Sequence, residues 1–367
     1  MSEIEVATKP KYKLVVSDFH LGKGRVFADG TQNILEDFFY DREFAEFLNY
    51  HRSGAYAEAE VEIVLNGDIL NLLQIDTYGV FTHLMTERSV IRAVERIVEG
   101  HPDFFQALRR FVSTPGHSIA YVIGNHDVGM LWPGPRRVFS EAVGAKVGFY
   151  DVAYEFDGVY IEHGQQWENF SRVDMKRPFI TSRLPEPVLN LPWGSLFVAV
   201  LAPGLKKDRP ALDKVRPFSR FLSWTAIHDT WWGFKAALKV IKFIVDTVFF
   251  RRRYQIHQGV RSTLKMLKEI TIYPNYDKIA FKILEDRPDI NTVIFGHTHI
   301  LRYSQWREGK EYFNEGTWNE TTNLDLADYG KQTRLTYAFI EHISPERPKV
   351  RLKQWHGLWK PESDLQI

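Results

Sequence analysis

The chain has 367 residues, 44% hydrophobic and 25% charged, which suits a soluble globular protein of one large domain or of a domain carrying an insertion. Its 47 lysines and arginines nearly balance 46 aspartates and glutamates, so no global basic field draws it to nucleic acid. With no cysteine, no apolar N-terminal core of a signal peptide and no apolar run of membrane-spanning length, disulfide and thiolate chemistry are excluded and a cytoplasmic protein is expected.

Residues 14–17 are predicted as a first buried strand. Over 34–51, Leu35, Phe38, Phe39, Phe44, Phe47 and Leu48 recur near helical spacing and predict a helix. A second strand is expected over 61–65, ending at Asn66-Gly67-Asp68. Val90, Ile91, Val94, Ile97 and Val98 predict an amphipathic helix over 86–98, and 104–112 reads as another. A third strand, 119–123, runs into Gly124, and this alternation predicts a βαβ core. Residues 147–156 and 159–162 read as two strands joined by the hairpin dipeptide Asp157-Gly158. After a strand at 292–295, the segments 302–306, 311–314, 335–343 and 349–355 are expected as antiparallel strands. The stretch between differs in character. Residues 178–217 are rich in proline, and 218–254 reads as a helix carrying Trp224, Trp231, Trp232, Ile241 and Val248, closed by Arg251, Arg252 and Arg253. The expected organisation is a core of residues 1–180 and 261–367 with a helical insertion, or cap, over 181–260.

Motifs at the strand ends carry the chemistry. In order they are Asp18-Phe19-His20, Gly67-Asp68, Gly124-Asn125-His126-Asp127, His163-Gly164 and Gly296-His297-Thr298-His299. Each holds a carboxylate, an imidazole or an amide oxygen, and each follows a β-rich run. Any one alone is most often a turn, but together they supply a metal-ligand inventory. Hydrolysis of a phosphate ester needs negative charge drawn onto phosphoryl oxygens and a nucleophile delivered in line. Two divalent ions about 3.5–4 Å apart do both, clamping the phosphoryl group and acidifying a water. Asp68 is the natural bridge between them. Asp18, His20, Asn125, His163, His297 and His299 complete the shells, a mixed oxygen and nitrogen set that favours Mn²⁺ and is compatible with Fe or Zn²⁺. His126 is expected as a general acid or a phosphate clamp, with Asp127 fixing its tautomer. The histidines His51, His83, His101, His117, His228, His257, His342 and His356 fit no motif and are read as ordinary.

These motifs resemble the calcineurin-like metallophosphoesterase superfamily, whose pattern runs D-x-H, G-D, G-N-H-[D/E], H, G-H-x-H. The match is complete at the ligand positions and covers about residues 12–170 and 285–345. The resemblance implies an α/β fold, a four-layer α/β/β/α metallophosphoesterase sandwich, here with a helical insertion. It also implies one ion held by Asp18, His20, Asp68 and His299, a second held by Asp68, Asn125, His163 and His297, and His126 facing substrate.

Within the superfamily the chain looks most like the UDP-2,3-diacylglucosamine pyrophosphohydrolases. Asp18-Phe19-His20-Leu21-Gly22 is similar to their S-D-L-H-L start, Asp76 stands at the distance of their second acidic site from Asp68, and Glu315-Gly316-Thr317-Trp318 is similar to their late G-x-W loop. Asn71 replaces a usual glutamate, His126 stands where they carry arginine, and the cap is longer. The expected substrate is therefore a small-molecule or lipid-linked phosphate, with nucleic acid disfavoured by a cap more apolar than basic. Residues 197–201 are candidates to bury acyl chains. Lys206, Lys207 and Arg251 to Arg253 are candidates to meet anionic head groups, giving peripheral membrane contact through the insertion. The alternatives are a nuclease or other phosphodiesterase of the same superfamily and an inactive interaction module on the same fold.

Overall fold

Apolar strands separated by amphipathic helices pair in the computed structural model into two main sheets. The structure describes residues 9–76, 79–182, 184–210, 212, 214–216, 218–249, 274–323, 330–342 and 347–365. The strands of the main sheets are β1 (Lys11–Val16), β2 (Glu60–Asn66), β3 (His117–Val122), β4 (Gly148–Tyr150), β5 (Ala153–Phe156), β6 (Val159–Glu162), β7 (Thr292–Phe295), β8 (Arg302–Gln305), β9 (Glu311–Asn314), β10 (Leu335–His342), β11 (Lys349–Trp355) and β12 (Glu362–Asp364). The first sheet has the order β12-β11-β10-β1-β2-β3-β4 and the second β8-β9-β7-β6-β5. From β1 to β4 the first sheet is parallel, and β10 and β11 extend it antiparallel.

The pleat sends alternate side chains to opposite faces, and this sorts them into layers. Leu14, Val16, Ile63, Leu65, Ile119 and Tyr121 face the helices α1 (Asp41–Tyr50), α2 (Glu87–Gly100), α3 (Pro102–Val112) and α4 (Pro133–Val143) in the largest core. Their neighbours Val15, Val64, Ala120 and Val122 meet Val159, Ile161, Ile294 and Phe313 between the sheets. The far face of the second sheet, Val293, Phe295 and Tyr312, packs on Ala280, Ile283 and Leu284 of the helix Tyr276–Asp286. The order helices, sheet, sheet, helix is the expected α/β/β/α sandwich.

Local expectations needed four corrections. The helix expected over 34–51 starts only at Asp41, because the Glu36 carboxylate is spent accepting from Gly22 N, Gly24 N and Phe38 N. Residues 147–156 are two short strands, not one: β4 ends the first sheet, and after Asp151 and Val152 the chain enters the second as β5. Strand β9 is antiparallel to β8 but parallel to β7. The long helix expected over 218–254 is broken at Asp229 into Phe218–His228 and Thr230–Phe249; Asp229 is held by Arg209 Nε at 2.9 Å, and residues 250–254 lie outside the described residues. Helix α4 was not anticipated, although Pro133 at its first turn and the left-handed Gly144 at its end are helix-boundary signals.

In the region expected as the insertion, Leu189, Leu191, Trp193, Leu196, Ala199 and Phe243 belong to the same hydrophobic core as α1 to α4. No helix among the described residues is long and apolar enough to cross a membrane.

Trp318 is fully buried against Phe19, Phe44 and Phe47, and its Nε1–H donates to Thr336 O at 2.9 Å. Replacing it by alanine should lower unfolding free energy by about 3–5 kcal/mol. Denaturant unfolding measures this, and an unchanged midpoint would contradict the packing described.

Candidate metal centre

The ligand candidates sit where strands give way to loops. Asp18 and His20 follow β1, Asp68 follows β2, Asn125 and His126 follow β3, His163 follows β6, and His297 and His299 follow β7. Each sheet therefore contributes one side of the site, as open α/β sheets build sites at their strand carboxyl ends. The local backbone is unusual. Asp18, His20, Asp68, His297 and His299 all have φ between 51° and 66°, a left-handed conformation that costs energy for a residue with a Cβ. Asp157 and Glu308 are the other non-glycine residues with positive φ among those described. Gly124 has a packing reason: a Cβ there would lie 2.3 Å from Asp68 Oδ1 and 2.5 Å from Asp68 N.

The structure brings six of the seven sequence-identified ligand candidates, Asp18, His20, Asp68, His163, His297 and His299, to one largely buried place, and Asn125 is buried just after β3. Ligand atoms of Asp18, His20 and His299 lie within 4.8 Å of one another, as do those of Asp68, His163 and His297 and those of His20, Asp68 and His126. His299 Nε2 is 3.1 Å from Asp18 Oδ1, and His163 Nε2 is 3.2 Å from Asp68 Oδ2. Yet Asp18 Oδ1, His163 Nε2 and Asn125 Oδ1 are buried without an aligned hydrogen-bond partner among the described residues. Buried polar atoms left in this way carry a desolvation cost. Side-chain atoms that converge without bonding one another are the arrangement a cation completes, so the donor set fits divalent metals. His163 Nδ1 lies 2.8 Å from Asn66 O, which holds a proton on Nδ1 and leaves Nε2 as the nitrogen a cation would take once it displaces the proton there.

Electrostatics follows from the crowding. Burial alone would raise the Asp68 carboxyl, but His163, His126 and His20 reverse the sign and hold it far below the ordinary carboxylate range. Asp18 behaves likewise, with His299 and His163 overcoming its burial. Burial would lower the His163 imidazole, but Asp68 and Asp18 push it up to about 10.

The expected partnership of Asp127 with His126 is not the one the structure shows. Asp127 Oδ2 accepts from Ile69 N at 2.9 Å and Tyr121 OH at 2.7 Å, and Oδ1 accepts from Gly124 N at 2.6 Å. Both oxygens tie the Asp68 loop to the Gly124 loop. The ring of His126 is met instead by Asn71, whose Oδ1 lies 3.0 Å from Nδ1. Asn71 Nδ2 in turn donates to Gln74 Oε1 at 3.1 Å, and that oxygen also accepts from Lys206 Nζ at 3.4 Å. Lys206 was expected to face head groups. It is fully buried, bound to both oxygens of Asp37 at 3.2 and 3.0 Å. Asp76, noted as a second acidic position, pairs with Lys23 and Arg96 away from the motifs.

Several residues without a signal in the sequence pattern hold the site. Glu168 is buried with Oε1 2.7 Å from His297 Nε2, leaving Nδ1 as the ring nitrogen available to a cation. Thr317 Oγ1 and Asn319 Nδ2 donate to Asp18 O at 2.7 and 3.1 Å, and Asn319 Nδ2 also donates to Phe19 O at 2.9 Å. Asn314 Nδ2 donates to Gly296 O at 2.7 Å. Of these segments, only Glu315–Trp318 stood out in the sequence, through its resemblance to a G-x-W loop.

The chain belongs to the calcineurin-like phosphoesterase family, whose model matches residues 13–301. Its class is accordingly that of metal-dependent phosphoesterases. The fold is similar to that of a dimetal phosphatase from Danio rerio, at 10% identity over 94% of this chain and 99% of that one, with a TM-score of 0.36. A predicted phosphoesterase from Streptococcus pneumoniae TIGR4 aligns at 10% identity over 98% and 99%, with a TM-score of 0.33. Vacuolar Protein Sorting 29 from Cryptosporidium parvum aligns at 12% identity over 98% and 97%, also with a TM-score of 0.33. No curated protein matches the chain at a significant level.

With a value raised to about 10, against about 6.5 in an unfolded chain, His163 is protonated at pH 7.5 before a cation arrives. A cation must displace that proton, so metal uptake should release about one proton or more per chain at pH 7.5. Titration calorimetry in two buffers of different ionisation enthalpy reads this directly. Equal apparent enthalpies in the two buffers would show that no proton leaves.

Proposed function

We propose that this chain is a dinuclear metal-dependent hydrolase of a phosphoester or pyrophosphate bond, acting on a lipid- or nucleotide-linked substrate. The observation that carries the reading is the convergence of Asp18, His20, Asp68, His163, His297 and His299 in one largely buried cluster, in which Asp18 Oδ1 and His163 Nε2 are left without an aligned hydrogen-bond partner among the described residues. On this reading one cation is held by Asp18, His20, Asp68 and His299, and the other by Asp68, Asn125, His163 and His297. When bound, two such cations, with Mn²⁺ the favoured pair, supply charge neutralisation at the phosphoryl oxygens and a water acidified toward neutrality. The chain's own residues do the rest. Asp68 is positioned to serve both cations: its Oδ1 is oriented by His126 N–H at 2.7 Å and its Oδ2 lies toward His163. His126 is partly exposed at the rim, edge-on to His20 with ring centroids 4.5 Å apart. Donation of Nδ1–H to the Asn71 amide leaves Nε2 as the nitrogen facing substrate, and in the imidazolium form, protonated at both nitrogens, Nε2 gives its proton to the leaving oxygen and Nδ1–H stays on Asn71.

The substrate class is supported by what borders the site. Ser195 Oγ lies 3.5 Å from Asn125 O, so the apolar run that continues through Phe197 and Leu201 begins next to a metal ligand. Binding energy from a remote apolar group would be collected there and used to align the reacting phosphate.

Asp68→Ala should remove both activity and most bound metal, more than any other single ligand change, because a bridging carboxylate serves both ions and screens their repulsion. Elemental analysis with a Mn²⁺-supplemented diesterase assay measures this; two metals per chain with near-normal turnover would exclude Asp68 as the bridge. His126→Ala should keep its metals and lose about 10²–10⁴-fold in turnover. The loss should shrink on a nitrophenyl ester, whose leaving group needs no proton. A loss independent of the leaving group would assign His126 to phosphate binding instead.

A further inference from the structure

The helix Thr230–Phe249 has two faces of different use. Its inner face is anchored. Phe243 packs on Trp193 with ring centroids 5.3 Å apart and on Phe197 at 6.1 Å, and Thr247 Oγ1 accepts from Trp193 Nε1 at 3.0 Å. Its outer face carries Trp231, Phe234, Leu238, Ile241 and Val245, at spacings of three and four residues, all between 43% and 68% exposed. A solvent-facing stripe at helical spacing reverses the usual arrangement, in which that stripe is the buried one. It is also too contiguous to be scattered surface apolarity. The preceding helix adds Trp224 and Ile227, 47% and 72% exposed.

The charges beside the stripe select what covers it. Lys235, Lys239 and Lys242 are exposed along one flank of the apolar row, and the Lys235 ammonium lies 4.9 Å from the centroid of the Trp231 ring. Asp246 is the carboxylate on the same helix within this stretch, and Asp208, 3.9 Å from Lys239, is the acidic group facing it from the neighbouring segment. A second copy of the stripe does not answer these charges. In a parallel pair Lys235 and Lys242 would face Thr230 and Ala237, and in an antiparallel pair they would face each other. An anionic lipid interface answers both features: acyl chains take the apolar row, and head groups take the lysines flanking it. The helix is not long and apolar enough to span a bilayer, and its inner face is already committed to the protein, so it would lie in the interface plane.

We propose that the outward face of the helix Thr230–Phe249, with Trp224 and Ile227, docks this protein on an anionic membrane surface. The inference rests on these exposed residues and stands apart from the phosphoesterase chemistry. It relocates membrane contact from Lys206, which is buried, to the outer side of the helix.

The test uses the full chain in co-sedimentation with vesicles of phosphatidylcholine alone and of phosphatidylcholine mixed with phosphatidylglycerol. The unmodified protein should bind the anionic vesicles at least about tenfold more tightly, and binding should weaken with salt. Phe234→Glu combined with Ile241→Glu should lower anionic-vesicle affinity by about tenfold or more, with circular dichroism unchanged. Lys235→Glu, Lys239→Glu and Lys242→Glu together should abolish the preference for anionic over zwitterionic vesicles. Absence of vesicle binding by the unmodified chain overturns the proposal, as does undiminished binding by both variants. A dimer seen by light scattering that the Phe234 and Ile241 changes dissociate, without an effect on vesicle binding, assigns the face to a second copy instead. Should the glutamate pair fail to fold, the comparison of vesicle types with the unmodified chain and the lysine variant still decides the outcome.

Discussion

Two fully buried carboxylates, Asp18 and Asp68, govern the architecture of this protein. An isolated charge in a protein interior costs many kcal/mol, so each must be met on several sides. Imidazoles surround them, and backbone N–H groups complete the work: His297 N donates to Asp18 Oδ2 at 2.9 Å and His126 N to Asp68 Oδ1 at 2.7 Å. The left-handed backbone at Asp18, His20, Asp68, His297 and His299 is the conformational consequence. A regular strand would send alternate side chains to opposite faces; breaking the strand sharply at its end allows residues two apart to turn the same way. That strain is held by neighbours such as Thr317 and Asn319, which grip the Asp18 carbonyl.

The two-sheet sandwich is what makes the convergence possible. Asp18, Asp68 and Asn125 end strands of the first sheet, and His163 and His297 end strands of the second. Their separation depends on how closely the sheets pack, and the side chains between them, Val15, Val64, Ala120 and Ile161 among others, are small or β-branched. Asn66 joins the layers at the site: its Nδ2 donates to Glu315 Oε1 at 2.8 Å and reaches Glu162 O at 3.3 Å, while its own carbonyl orients His163. Glu315 is correspondingly pushed up to about 8, chiefly by burial and despite the Asn66 hydrogen bond.

The region beyond His163 is tied into this core in two ways. Trp193, Leu196 and Phe243 extend the hydrophobic layer, and Lys206 enters a fully buried ion pair with Asp37. Through Gln74 and Asn71 that same lysine is connected to the ring of His126. The orientation of the Asn71 amide, and so the tautomer of His126, is set through Gln74 from a lysine 132 positions further along the chain.

Metal-ligand chemistry is local in character, which is why the ligand set is legible in the sequence: a carboxylate or imidazole just after a β-rich run declares itself, as Asp18, Asp68, His163 and His297 do. Core strands and the helices α2 and α3 are legible for the same reason, since their periodicity lies within a few consecutive residues. Partnership is not local. The Asp127 carboxylate, adjacent to His126 in the chain, turns to Tyr121 and Ile69, while His126 is met by Asn71; Glu168 reaches His297 across 129 positions. Lys206 shows the same limit: a lysine in an apolar stretch reads as surface until Asp37 folds against it. Which hydrogen-bond donor finds which acceptor depends on the distances between packed layers. Residue types and their spacing carry the site's inventory, whereas the folded chain alone determines its pairing.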